Sequence, residues 1–263
     1  MLLYCKLICI GMRFVMHVFG LSHTGVVRTQ NQDSISFEDD KIGPLPNLFV
    51  VADGMGGHNA GEVASKEAID VFSKYIEHYP LADLVQPGDY SDLLVSAAQE
   101  ANKAVYNKSS ESEEMAGMGT TFTACAIENG RVSIIHVGDS RIYAIEPDKI
   151  SQLTTDHTYV TQMVKLGKMT IEEARTHPKR NVITNALGTD ISLVIDSLQP
   201  ELFGTTTLLM CSDGLTDMID DNGILEIVNR QGYVEDRVKA LVDEANHRGG
   251  VDNISVILID IGR

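Results

Sequence analysis

Apolar and polar residues follow two different periods along this chain, and the two periods divide it into strands and helices. Short apolar runs bounded by Gly, Asp and other turn residues fall at 16–22, 34–38, 47–52, 120–128, 131–137, 141–146, 207–212 and 254–260. Runs of this length between turn signals predict buried strands. Glu128-Asn129-Gly130 joins two of them, a sequence that predicts a tight hairpin. Elsewhere a 3.6-residue period takes over. Residues 60–79 place Ala64, Ala68, Val71, Phe72, Tyr75, Ile76 and Tyr79 on one helical face. Residues 91–107 do the same with Leu94, Ala97, Ala98, Ala101, Ala104 and Val105, with Ser91 as the expected N-cap. Two further helices are predicted near 221–230 and 234–247, the last burying Val238, Leu241, Val242 and Ala245. Helices come in pairs, one pair between strands and one before the final strand. That order predicts antiparallel sheets packed together under helix layers, not regular βαβ alternation.

Residues 154–187 interrupt the sheet pattern. Thr170 and Glu173 have the spacing of a capping box, and the section carries His157, His177, Lys179 and Arg180. It reads as an excursion beside the functional site, a candidate mobile flap. At the N-terminus, the apolar residues of 1–19 are broken by Lys6 and Arg13, too short and interrupted a stretch to span a membrane. The ordered regions of a signal peptide are missing as well. Met16 begins the first predicted strand, so residues 1–15 are expected to be an extension outside the core, with Met12 and Met16 as alternative starts. Residues 16–263 then form one domain.

The chemistry lies where the apolar runs stop. Leu48–Ala52 leads into Asp53-Gly54, Leu208–Ser212 into Asp213-Gly214, and Val132–Val137 into Gly138-Asp139, while Asp252-Asn253 opens the run from Ile254. One Asp-Gly pair alone reads as a turn. Several carboxylates at buried strand ends are different, because desolvation and mutual repulsion raise their pKa values unless a counter-charge is present. A divalent cation resolves that conflict, which points to a metal site made of oxygen ligands. The net charge of −16 argues against nucleic acid as a partner. It suits a phosphate-bearing substrate only where bound cations reverse the sign locally. The four cysteines form no CxxC pair, and Cys125 and Cys211 fall in apolar runs as small core residues, which fits a reducing cytoplasm. Gly54-Met55-Gly56-Gly57 lacks the lysine and hydroxyl of a nucleotide-binding loop.

Six motifs stand in order along the chain: Arg28-x-x-Asn31-x-Asp33, Asp53-Gly54-Met55-Gly56-Gly57-His58-x-Ala60-Gly61-Glu62, Gly117-Met118-Gly119-Thr120-Thr121, Gly138-Asp139-Ser140-Arg141, Ser212-Asp213-Gly214-Leu215 and Asp252-Asn253. Over about residues 16–260 the sequence resembles the bacterial metal-dependent protein serine/threonine phosphatases of type 2C, the PPM family. The resemblance implies an α+β fold, a four-layer αββα sandwich of two antiparallel sheets flanked by helix pairs. It also implies a binuclear Mn²⁺ or Mg²⁺ centre in which Asp53 bridges both ions, the Gly54 carbonyl binds one, and Asp213 and Asp252 bind the other. Asp33 would act through a bound water and Asp139 at a third, weaker site. Gln32 departs from the acid that many members carry, which removes one water-mediated contact.

An all-oxygen site suits hard cations, and Arg28 would grip the phosphate with its planar fork. His58 is either the general acid for the leaving oxygen or a residue that packs in its glycine-rich turn. His136 is expected to be a satisfied core histidine, and His157 to order the base of the flap. The implied activity is hydrolysis of phosphoserine and phosphothreonine by a cytoplasmic monomer opposing a bacterial Ser/Thr kinase. Phosphorylated proteins and the kinase itself would be its partners. Two alternatives are a dedicated phosphatase of a sigma-factor regulatory partner and a non-catalytic phosphoprotein-binding module. The retained ligand set argues against the second.

Overall fold

The computed structural model describes residues 16–57, 60–80, 88–202, 204 and 207–261. Its strands are β1 (Met16–His23), β2 (Asp33–Glu38), β3 (Leu48–Met55), β4 (Gly119–Thr120), β5 (Phe122–Glu128), β6 (Arg131–Val137), β7 (Arg141–Glu146), β8 (Lys149–Gln152), β9 (Asp196–Leu198), β10 (Thr207–Cys211) and β11 (Ile254–Ile261). Its helices are α1 (Ala60–Glu77), α2 (Ser91–Ser109), α3 (Tyr159–Lys165), α4 (Ile171–Thr176), α5 (Asp213–Thr216), α6 (Asp221–Val228) and α7 (Val234–His247). One sheet runs β1-β11-β10-β7-β8 and the other β2-β3-β5-β6-β9, with β4 paired to β3. Every pairing is antiparallel.

Alternation along the strands builds the layers. Leu48, Val50 and Ala52 of β3 pack under α1 and α2, while Phe49 and Val51 face the other sheet. In β11, Ile254, Val256 and Leu258 pack with Val238, Leu241 and Val242 of α7, while Ile257, Ile259 and Ile261 meet β3 and β5 residues between the sheets. Central strands covered on both faces read as continuous apolar runs, which is why they stand out in the sequence. The result is the expected four-layer αββα sandwich. On the α1 side Phe72 meets Phe122 edge-on, with ring centroids 4.8 Å apart.

Local signals hold where the chemistry is local. Asn129 and Gly130 both have positive φ (52° and 76°), as a two-residue hairpin turn between β5 and β6 requires. Thr170 and Glu173 close both halves of the capping box at the start of α4. Ser91 does not cap α2. Asp89 Oδ1 accepts the Ser91 N–H at 3.0 Å, and the Ser91 hydroxyl accepts instead from Gln199 Nε2 at 2.9 Å. The expected extension at 1–15 lies outside the described residues, and among the described residues no helix is long and apolar enough to cross a membrane.

Candidate active site

The same two-residue period that fills the inter-sheet layer delivers carboxylates to its edge. Asp53 follows Phe49 and Val51 on one side of β3, and Asp33 precedes Ile35 on the same side of β2. Asp33 and Asp53 are register partners across that ladder. β3 does not stop at Asp53, as the apolar run suggested. It continues through Gly54 and Met55, which pair with Thr120 and Gly119. Asp139 sits in the turn between β6 and β7, Asp213 opens α5, and Asp252 lies two residues before β11. The five meet in one field: Asp33, Asp213, Asp139 and Asp252 all raise the pKa of Asp53.

Short hydrogen bonds fix these positions. Asp53 N–H donates to Thr121 Oγ1 at 2.9 Å, and its carbonyl accepts from Thr121 N–H at 2.8 Å and from Thr120 Oγ1 at 2.9 Å. Thr121 Oγ1 also shares a hydrogen bond of 2.8 Å with Ser140 Oγ, beside Asp139. Ser212 Oγ donates to Asp33 Oδ2 at 2.8 Å. Asn253 staples the loop that carries Arg28. Its Nδ2 donates to the Thr24 and Gln30 carbonyls at 2.9 and 2.8 Å, and its Oδ1 accepts from Gln32 N–H at 2.8 Å. Arg141 forms a forked pair with Asp156 at 2.6 to 3.1 Å. The hydroxyls of Thr121, Ser140 and Ser212, the Asn253 amide and the Arg141–Asp156 pair do not stand out as site residues in the sequence. Ser140, Arg141, Ser212 and Asn253 stand beside aspartates within the motifs, whereas Thr121 lies in a motif without an aspartate and Asp156 lies outside all six.

Burial dominates the electrostatics. It pushes Asp33 up to about 6, against the Ser255 and Ser212 hydroxyls that pull the other way, and Asp139 up to about 7 with the help of Asp156. Asp53 and Asp213 are driven well above the ordinary carboxylate range by burial and then by their neighbouring aspartates. Asp33 Oδ1, Asp139 Oδ1 and Asp213 Oδ1 are buried without a hydrogen-bond partner among the described residues. An unsatisfied buried polar group costs about 1–3 kcal/mol, more when charged. Hard divalent cations would satisfy these oxygens, so the residues fit such a centre. Among the described residues, no group of three or more His, Cys, Asp or Glu side chains is placed to hold a metal ion together. Mg²⁺ and Mn²⁺ sites characteristically finish their shells with carbonyls and water.

The other expected site residues fall as follows. A Cβ at Gly54 would lie 2.0 Å from the Gly61 carbonyl oxygen and 2.6 Å from that of Gln32, so only glycine lets β3, α1 and the Gln32 backbone meet here. Arg28 Nη2 donates to Asp252 Oδ2 at 2.8 Å, with the Arg28 side chain 54% exposed. His58 lies outside the described residues. His136 is a satisfied core histidine, bonded to Thr123 Oγ1 at 2.9 Å and the Thr155 carbonyl at 3.2 Å, and burial lowers its pKa to about 4. His157 ties the 154–187 section to the Asp139 turn. Its N–H donates to the Gly138 carbonyl at 2.7 Å, its Nδ1 accepts from Gly138 N–H at 3.1 Å, and its Nε2 meets Asp196 at 3.1 Å. A groove of about 990 Å³ runs from Asp139 and Asp213 between α3–α4 and α5–α6.

The chain matches the family model Protein phosphatase 2C over residues 20–245. It is 33% identical to the serine/threonine phosphatase stp of Listeria innocua over 246 residues, which is 93% of this chain and 96% of that protein. The crystal structure of the serine/threonine phosphatase Stp1 from Staphylococcus aureus is similar at a TM-score of 0.87 and 35% identity, covering 95% of this chain and 96% of that one. The catalytic domain of the serine/threonine protein phosphatase PstP, in complex with 2 manganese ions, is similar at a TM-score of 0.78 and 31% identity, covering 95% of this chain and 100% of that one. Agreement over nearly the whole length, in sequence and in fold, means that this chain belongs to the protein phosphatase 2C family and is a serine/threonine protein phosphatase.

Proposed function

We propose that this phosphatase hydrolyses phosphoserine and phosphothreonine in proteins modified by a serine/threonine kinase, with a Mn²⁺ or Mg²⁺ pair as its cofactor. The observation that carries this reading is the set of three buried carboxylate oxygens, on Asp33, Asp139 and Asp213, that have no partner among the described residues. Asp53, the Gly54 carbonyl, Asp213 and Asp252 would hold the pair, Asp33 would contribute through water, and Asp139 would serve a third ion. A bound pair supplies positive charge to the phosphate and a nucleophile at neutral pH. The manganese in the related PstP structure supports the same class of ion.

The chain's own groups do the rest. Thr120 and Thr121 lock the Asp53 backbone, and Ser212 holds Asp33 in one orientation. Arg28 gives Nη2 to Asp252 and keeps its other N–H groups for phosphate oxygens, which a planar guanidinium binds in pairs. In this reading the protein works as a monomer, with phosphorylated proteins and the kinase as partners. The test is turnover of a phosphothreonine peptide by purified protein. It is expected with Mn²⁺, lost in EDTA and restored when Mn²⁺ is returned, and full turnover in EDTA would overturn the assignment.

A further inference from the structure

Within the section between β8 and β9, residues 154–187 are a positive island on a strongly negative molecule. Residues 154–187 carry Lys165, Lys168, Arg175, Lys179 and Arg180 against three acids, in a chain with 21 basic and 37 acidic residues. All five basic residues are exposed. Two of the three acids are already engaged. Asp156 is neutralised by Arg141, and Glu173 closes the capping box with Thr170 but keeps its charge, as Glu172 does. Arg180 pairs with Asp217 at 3.2 Å. Lys165, Lys168, Arg175 and Lys179 form no ion pair among the described residues, and Lys179 lies over the Tyr159 ring at 5.1 Å.

This charge borders the groove that leads out of the candidate centre. Arg175 and Arg180 line it on the α4 side, and Asp139 and Asp213 lie within it. The opposite wall carries Asp217, Asp220 and Asp221. Arg180 compensates Asp217, and Asp220 is occupied in capping α6 by accepting Gly223 N–H at 3.0 Å. Among the described residues Arg175 has no ion-pair partner on the α4 wall, while Asp220 and Asp221 keep their charge on the other, so the positive field lies on the α4 side alone. A substrate segment that leaves the aspartates along this groove passes Arg175, inside the field of the three lysines, while the rest of the molecule repels acidic chains.

We propose that the basic face of residues 154–187 recruits substrates with acidic side chains close in sequence to the phosphorylated serine or threonine. This rests on the phosphatase centre proposed above. Exposed charges of this kind steer encounter and select partners, and they act through KM in a salt-dependent way.

The experiment compares two phosphothreonine peptides on the Mn²⁺-loaded protein, one flanked by Asp and Glu and the other by Asn and Gln at the same positions. Each rate is taken relative to p-nitrophenyl phosphate on the same preparation, which reports the centre itself. The wild type should favour the acidic peptide about fivefold in kcat/KM, through KM. That preference should vanish in about 1 M salt, where the Debye length is about 3 Å. Arg175→Glu should remove the preference. Lys168→Glu, outside the helices, should lower it and guards against a folding defect in the helical variant. Equal kcat/KM for the two peptides on wild type would overturn the inference, as would a preference that survives both reversals. Absence of turnover on all three substrates would instead sink the centre on which it rests.

Discussion

Asp33 and Asp53 stand directly opposite each other across the β2–β3 ladder, two carboxyl side chains at the edge of the inter-sheet layer that would carry like charges when both ionise. Like charges in opposed positions destabilise a sheet. The backbone register that creates the conflict is fixed by the apolar residues behind it, since a one-residue slip would turn Phe49 and Val51 out of the inter-sheet layer. The pair is therefore imposed by the fold, and its repulsion is there to be relieved.

Asp53→Asn tests this directly. With one charge gone, metal-free protein should melt higher, by about 2–4 °C for each kcal/mol of repulsion removed in a domain of this size. Turnover should be abolished at every Mn²⁺ concentration. Paired melts in EDTA and rates in Mn²⁺ give both numbers. A lower melting temperature with turnover per folded molecule preserved would make Asp53 a structural residue.

The raised carboxylates set the sign of a pH dependence. Asp33 at about 6 and Asp139 at about 7 in the fold compare with the ordinary aspartate value of 3.8 in an unfolded chain. A group whose folded pKa is raised contributes stability that is fully present below its unfolded value and is lost as pH rises through the folded value. Metal-free protein should gain stability as pH falls from 8 to 5. Bound Mn²⁺ needs these groups deprotonated, so the rise in melting temperature it confers should be largest at pH 8 and shrink towards 5. Melting scans from pH 5 to 8, each subtracted from Asp139→Asn to cancel other titrations, would show the contribution of Asp139. Metal-free wild type that gains stability on this difference as pH rises would have the wrong sign.

Arg28 is more than half exposed, and its contact in the structure is with Asp252. If it binds the phosphate, Arg28→Ala should raise KM about ten- to a hundredfold, the range of a charge-assisted hydrogen bond, with a smaller change in Mn²⁺ affinity. Arg28→Lys should recover only part of the loss, because an ammonium lacks the fork. Unchanged kinetics on a phosphopeptide would remove Arg28 from the site.

Asn253 offers a test of the scaffold. Its side chain makes three hydrogen bonds to the backbone of the Thr24–Gln32 loop, and it is 5% exposed. Asn253→Ala leaves those groups unsatisfied and should cost about 2–4 kcal/mol. The melting temperature should fall accordingly, and KM should rise because Arg28 is on the same loop. A variant with wild-type stability would show that the loop holds itself.

The parts of this molecule that are legible in the sequence are those encoded by neighbours in the chain. β3 and β11 announce themselves because both faces are buried, and Asp53, Asp213 and Asp252 are visible because apolar runs end or begin at them. Thr170 and Glu173 are three residues apart, so their capping box needs no tertiary information. β8 and β9 escape a reading of the sequence because Lys149–Gln152 and Asp196–Leu198 are short and half-exposed, with no apolar run to mark them. The single turn α5 hides behind an Asp-Gly pair that reads equally well as a turn. Ser91 proves to be the first residue of α2, with Tyr90 at the cap position and no side-chain cap, while Asp89 accepts the Ser91 N–H from one residue further back. The bridge from Asp53 through Thr121 to Ser140 joins residues far apart in sequence, so it exists only once β3, β5 and the β6–β7 turn have met.

Asp139 separates two roles that the sequence leaves open. As a structural residue it would close the β6–β7 turn with its carboxylate oxygens accepting N–H groups. As a metal residue it would keep an oxygen free. The structure leaves Oδ1 buried and without a partner among the described residues, while the turn is held by other groups: His157 bonds both the N–H and the carbonyl of Gly138, and Thr121 supports Ser140. Asp139→Ala should therefore keep the fold, with a metal-free melting temperature equal to or above that of wild type. It should bind two Mn²⁺ tightly, where wild type is expected to take up a third more weakly, and turnover should fall steeply. Calorimetric Mn²⁺ titration beside wild type reads the stoichiometry, and EDTA melts read the fold. Identical stoichiometry with a lowered melting temperature would assign Asp139 to the turn instead.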